Sequence, residues 1–381
     1  MLTNIMPPLG LGRVSWVAAT RIVLCASCAL FITSAPQAAD PHYDHWVHLT
    51  PENAVIGNFP AQKAPILTIK SGETVRIDTG GGHNAWREED RDKDKWFTEQ
   101  NIPASPGQAE TVKVLAETPR NGDIKNGHIL VGPIAVDGAM PGDMLEIRIL
   151  SVVPRIPYGV VVMGPGRGGI PDEVTRLDRK LVKIDLKRNV GVFDKDIEVP
   201  LAPFMGVMAV QPPDVDGTNR RSAPPGAFGG NLDCKELVAG ATLYLPVFQK
   251  GARFFTGDGH AAQGDGEVTI TAVETANTAI LQFILHKNTR LDMPRAETPT
   301  HYITFGLDPN LEAAMKIAIR QTNTFLQERE GLDFDRAFML SSIGVDFHVT
   351  QVVDETKGIH AMIPKALFKN KPDTYWFHPA H

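Results

Sequence analysis

From Pro41 to about residue 156 the apolar positions come in short runs broken by Gly, Pro and Asn, the pattern of strands joined by tight turns. Residues 64–70 and 74–78 read as a strand pair about the turn Ser71-Gly72-Glu73. Residues 137–143 form a second turn, followed by a segment in which Leu145, Ile147 and Ile149 alternate with Glu146 and Arg148. That alternation predicts a half-buried strand, so this part of the chain reads as all-β. Residues 157–230 are dense in Pro and Gly and read as irregular loops over a β core. Neither glycine run there, 164–169 or 223–230, has the spacing of a phosphate-binding loop. Strand-like runs resume at 242–248 and 268–273.

The period changes near residue 310. Leu311, Met315, Ala318, Thr322 and Phe325 recur at spacings of three and four, which predicts a helix over 310–326 that starts at Asp308-Pro309. A shorter helix is expected at about 333–342, then a strand at 346–353. The whole reads as α+β, predominantly β, with helices segregated toward the C-terminus.

Composition supports an ordinary folded core. The chain has 381 residues, 43% of them hydrophobic and 22% charged, with a net charge of −6. Without a long basic run it lacks the electrostatic footprint of a nucleic-acid or anionic-membrane binder, and a small-molecule substrate is the better expectation. The N-terminus departs from this composition. Arg13 and Arg21 precede an uncharged run at 22–32 that is shorter than the about 20 residues of a membrane span, and small residues follow as far as Ala39. Residues 1–39 are therefore expected to be a secretory signal peptide, with residues 40–381 released to the periplasm or the exterior. Cys25 and Cys28 would leave with the signal, so Cys234 alone would remain, as a nucleophile or as an inert buried thiol.

Chemistry is most concentrated at residues 257–267, where Asp258, His260, Gln263, Asp265 and Glu267 stand among four glycines. Asp258 with His260, and Asp265 with Glu267, are separated by two, so each pair shares one side of an extended segment. Two such pairs joined by a turn would converge on one metal ion or one scissile bond. The alternative is a glycine-rich hairpin whose acids face water.

Several segments together resemble the acetamidase/formamidase family of amide hydrolases. They are residues 127–134, 136–143, 225–233, 245–247, 251–267, 351–354 and 357–365, in order along nearly all of the mature chain. Among them are Gly229-Gly230-Asn231-Leu232-Asp233, the 257–267 motif, and Gly358-Ile359-His360-Ala361-Met362-Ile363-Pro364. The resemblance implies a jelly-roll or sandwich-like β core, hydrolysis of C–N bonds in small linear amides or in cyclic lactams, a homodimer, and in some members a divalent metal, often zinc. The export signal and residues 80–95 depart from the family's pattern.

Amide hydrolysis needs an activated water, support for the oxyanion and a proton for the leaving nitrogen. On that basis zinc is expected on His128, Asp233, Asp258 and His260, with Glu267 or else Asp265 as general base. Gln263 is expected to orient the water or the substrate amide. Gly230, Asn231 and Asp78 are the candidates for substrate binding. A competing reading keeps the fold as an exported binding protein without catalysis.

Overall fold

The computed structural model describes residues 41–85, 93–122, 124 and 126–369. The expected signal peptide, and most of the charged run at 87–95, lie outside the described residues. Among the described residues, one sheet of nine strands runs in the order His45–Val47, Thr74–Asp78, Asn277–His286, Met144–Pro154, Thr242–Pro246, Arg295–Glu297, His301–Asp308, Lys357–Pro364 and Asp346–Gln351. A second, of eleven strands, is built around Phe254–His260, which pairs antiparallel with Phe204–Ala209, Ile129–Val136 and Glu274–Thr275.

The apolar faces of the two sheets meet in one core. Val75, Ile77, Ile147, Leu281 and Phe283 of the first pack in the same buried cluster as Leu130, Met205, Val207 and Phe254 of the second. The Phe254 and Phe283 rings cross edge to face at 5.0 Å between centroids. Each such side chain removed from water contributes about 1.5–3 kcal/mol, which outweighs the weak preference of any one segment for an extended backbone.

Four expectations are corrected. Seven strands lie where loops were expected: Tyr158–Met163, Asp178–Asp185, Val190–Asp194, Ile197–Pro200, Phe204–Ala209, Asn219–Arg221 and Gly229–Asn231. The prolines fall almost entirely at the connections while Gly159, Gly191 and Gly206 sit inside strands, so composition alone concealed strands such as the fully buried Phe204–Ala209. Residues 268–273 form turns rather than a strand. Helices also occur in the first half, Lys93–Glu99 and Pro106–Glu117, the latter with a capping box between Ser105 and Gln108 and a proline at its start. Glu146 is buried rather than facing water, held by Arg148 Nε at 2.5 Å and His286 Nε2 at 2.6 Å.

The late helix spans Leu311–Glu330 and starts at Asn310, whose side chain accepts from Ala313 N at 2.9 Å. Its buried stripe is Ala314, Ala318, Thr322 and Phe325, one step round from the predicted face. The shift follows from Gly306 in the strand beneath. A Cβ there would stand 2.1 Å from the Ala314 carbonyl oxygen, so the helix seats its small residues directly on the sheet. The second helix is Phe334–Gly344, capped by Asp333. The fold is α+β, mainly β.

Candidate active site

The strand Phe254–His260 delivers Asp258 and His260 to the end of the eleven-stranded sheet. The glycines on either side of Asp258 are required by close approach. A Cβ on Gly257 would stand 2.2 Å from Ile129 O, and one on Gly259 would stand 2.9 Å from Thr275 O. The flanking strands therefore press against the motif, and Asp258 takes a left-handed backbone, φ +56°, that turns its carboxylate into the site.

His260 is fully buried, with its Nε2 3.4 Å from Asp258 Oδ2 and 3.3 Å from Glu274 Oε1. Its Nδ1 lies 3.0 Å from Gln263 Oε1, and the Gln263 amide donates to Asp233 O at 2.7 Å. Because that donation fixes the amide with its oxygen toward the ring, Nδ1 carries a proton and Nε2 faces the carboxylates. Gln263 thus orients His260 rather than a substrate. Asn277 Nδ2 holds the same turn by donating to His260 O at 3.1 Å and to Phe204 O at 2.9 Å.

Three more carboxylates join them. Asp233 follows the strand Gly229–Asn231 with φ +48°, and neither of its buried oxygens has a hydrogen-bond partner. Glu267 reaches the site through a left-handed pair, Gly266 at φ +93° and itself at φ +42°. Asp354 is placed by Gln351, whose side-chain oxygen accepts from Val353 N at 2.8 Å and Asp354 N at 3.1 Å. The nearest atoms of Asp258, His260 and Glu274, and likewise those of Asp233, His260 and Glu267, all lie within 4.8 Å of one another.

Crowding of buried carboxylates sets the electrostatics. Burial, the neighbouring Glu267 and Asp354 charges push Asp233 well above the carboxylate range. Burial and the Asp354 charge do the same to Glu267, and burial with the Asp258 charge raises Glu274. Asp354 is pushed up to about 6 by burial and by Asp258 and Glu274. Burial would raise Asp258 too, but His128 and His260 outweigh it and hold it below its ordinary value. Burial lowers His260, and the Glu274 and Asp258 charges reverse that and raise it. His83, fully desolvated and beside His128, is lowered to about 4 and is neutral at pH 7.

A cavity of about 780 Å³ opens onto this cluster. Asp258, Glu267, Glu274 and Asp354 line it together with His128 and Asn231. His128 Nε2 is 3.9 Å from Asp258 Oδ2, and the Asn231 side-chain oxygen is buried without a partner.

Of the expected site, Glu267, Asn231, His128, Asp233, Asp258 and His260 are brought together. Four candidates are placed otherwise. Asp265 diverges from Glu267 because the left-handed Gly266 breaks the extended geometry, and its carboxylate meets His348 Nδ1 at 2.8 Å instead. Gln263 is the orienting group described above. Gly230, at φ +91°, lies against Phe228 and Pro225, and its role is packing. Asp78 accepts from Trp46 Nε1 at 2.8 Å and Thr278 Oγ1 at 2.6 Å, away from the cavity. Cys234 is fully buried with its thiol pushed up by burial and the Glu236 charge, an inert side chain rather than a nucleophile. Glu274, Asp354 and His83 were missed. Asp354 lies inside the resemblance at 351–354, and only the lack of a partner at fixed spacing hid it.

The Acetamidase/Formamidase family matches residues 108–216 and 204–370, a span that contains every one of these carboxylates. The chain belongs to this family. A solved acetamidase structure from Bacillus halodurans superposes with a TM-score of 0.69 at 31% identity, over 85% of this chain and 99% of that one. An acetamidase of Mycolicibacterium smegmatis is 26% identical over 53% of this chain and 65% of its own length. A formamidase of Methylophilus methylotrophus is 29% identical over 41% of this chain and 51% of its own length. The chain thus spans about half to two thirds of these two relatives. Membership makes it an amide hydrolase.

Proposed function

We propose that this enzyme hydrolyses the C–N bond of small linear carboxamides with the help of a divalent cation, zinc being the best match. One observation carries the reading. Four buried carboxylates, Asp233, Glu267, Glu274 and Asp354, converge with the nearly buried Asp258, with unpaired acceptor oxygens on Asp233 and Asp354 and an unpaired His260 Nε2. Buried charge of one sign is retained only where something compensates it, and imidazole with carboxylate is a donor set that zinc accepts. The donors fit such an ion. Asp258, His260 and Glu274 would hold it, with His128 and Asp233 beside them.

When bound, the ion lowers the pKa of water toward about 7 and polarises the amide carbonyl. Glu267 faces the cavity with a raised proton affinity, which suits it to take a proton from the attacking water. As the water oxygen bonds to the carbonyl carbon and the C–N bond breaks, the same carboxyl returns its proton to the departing nitrogen. Asn231 presents its side-chain amide to the substrate, with the oxygen accepting from the amide N–H. Neutral His83 supplies a donor without adding charge. If residues 1–39 direct export, the amide is met outside the cytoplasm.

The test is ammonia release from formamide and acetamide, and ring opening of a γ-lactam to its amino acid, by the purified mature chain before and after treatment with a chelator. Loss of activity with the chelator and return with zinc supports the reading. Full activity in metal-free protein would sink it, and turnover of the lactam alone would replace linear amides as the substrate.

A further inference from the structure

A second group of ligand-type side chains lies outside the cavity. His348 and His360 are direct partners across the antiparallel strands Asp346–Gln351 and Lys357–Pro364, with ring centroids 5.2 Å apart. Paired positions put both imidazoles on one face of the sheet. Glu236, two residues beyond Cys234, comes over that face, and Asp265 reaches it from the loop that also carries Glu267. The distances are 3.1 Å from His360 Nε2 to Glu236 Oε2 and 2.8 Å from His348 Nδ1 to Asp265 Oδ2. One ligand atom from each of the four lies within 4.8 Å of all the others.

Two features separate this group from a surface ion pair. His360 is 0% exposed, and its Nε2 makes no hydrogen bond despite the nearness of Glu236, whereas its Nδ1 is anchored by Thr350 Oγ1 at 2.8 Å. One nitrogen tied back and the other presented is how a metal-binding histidine is held. The second feature is Lys235, whose ammonium contacts Glu236 and also Asp265 at 3.3 Å. A cation is thus already drawn to the point between the two carboxylates. Asp265 and His348 are each 34% exposed, which leaves a way in from solvent.

We propose that Glu236, Asp265, His348 and His360 form a second metal site, specific for a divalent ion of zinc's class, and that the Lys235 ammonium competes with the ion for it. Two imidazoles and two carboxylates would complete a four-coordinate shell from protein groups alone and leave no position open for water, as in a closed structural site. An ion there would clamp the loop bearing Glu267 to the C-terminal strands. The main chain already begins that junction, where Gly266 N donates to Thr350 O and Val352 N donates to Gly266 O, both at 3.2 Å.

The experiment is equilibrium dialysis of the full mature chain against zinc, with bound metal counted per chain. His348→Ala should bind one equivalent less than the unchanged protein, whatever the number the active site contributes, so the outcome does not depend on the catalytic reading. Lys235→Met should keep that equivalent and bind it more tightly, by on the order of tenfold, because a like charge beside the ion is removed. Asp265→Asn, measured alongside, should lose the same equivalent and serves if His348→Ala does not fold. Equal stoichiometry in the unchanged protein and in His348→Ala and Asp265→Asn would overturn the proposal. So would Lys235→Met that binds no more tightly than the unchanged protein, since the four residues would then be a self-contained ion-pair network.

Discussion

A Cβ placed on Gly206 would stand 2.6 Å from Asp258 Oδ2. The same atom would lie 2.5 Å from Asp233 Oδ1 and 3.0 Å from His260 Cε1, so the floor of the site is moulded against the bare backbone of the strand Phe204–Ala209. The requirement at Gly206 is space, because its backbone conformation is not left-handed. Gly206→Ala should displace the carboxylates by about an ångström and lower kcat/KM on the order of 10²-fold, with an unchanged circular dichroism spectrum. A rate within a few fold of the parent would show that the site is not held at that point.

Glu267→Gln should lower turnover by roughly 10²–10⁴-fold. It also removes one buried negative charge from a crowded group, so the metal-free variant should unfold at a temperature equal to or above that of the metal-free parent. A near-parental rate would move the proton transfer to Asp233 or Asp354, two further raised carboxyls.

Metal also enters through stability. A ligand that binds only the folded chain adds about 2.7 kcal/mol at a hundredfold excess over its dissociation constant. Melting temperature should therefore rise with added zinc in the chelator-stripped protein. The active-site part of that rise should vanish in Asp258→Asn. A melting temperature indifferent to zinc would argue that the carboxylates are compensated by protonation alone.

Asp143 gives a pH dependence away from the site. Burial would raise its carboxyl, but Lys287 Nζ at 2.5 Å and the amides of Asn288 and Met140 outweigh it and hold it below the ordinary value. A carboxyl depressed in the folded state contributes its stability above the unfolded pKa, near about 4, and loses it as pH falls through the folded value. Asp143→Asn should cost about 1–3 kcal/mol at pH 7, and the difference from the parent should shrink below about pH 3. Urea denaturation at the two pH values checks this, and a cost that does not vary with pH would assign the effect to packing.

Cys234→Ala should retain parental activity and cost about 1 kcal/mol of stability. Blocking of the thiol by iodoacetamide should require unfolding. Loss of amide hydrolysis in a folded Cys234→Ala protein would restore the thiol as a nucleophile.

The sequence by itself determined the class of fold, the family-like order of segments, and the motif that holds Asp258, His260 and Glu267. Alternation of apolar residues, glycines at close approaches and ligand-type side chains are local properties, and they survive in a one-dimensional reading. It also exposed the late helix, because a period of three and four over four turns has few competing explanations. The strands within residues 157–209 stayed hidden because their turns dominate the composition. Only the tertiary structure decided which acids belong together. One left-handed glycine, Gly266, sends Asp265 toward His348 and Glu267 into the cavity, although the two are neighbours of a kind that a straight strand would keep on one side. Glu274 arrives from a paired strand, and Asp354 from a loop some 90 residues beyond the motif that is tied to it through Gly266, Thr350 and Val352, by hydrogen bonding between segments that no spacing along the chain encodes.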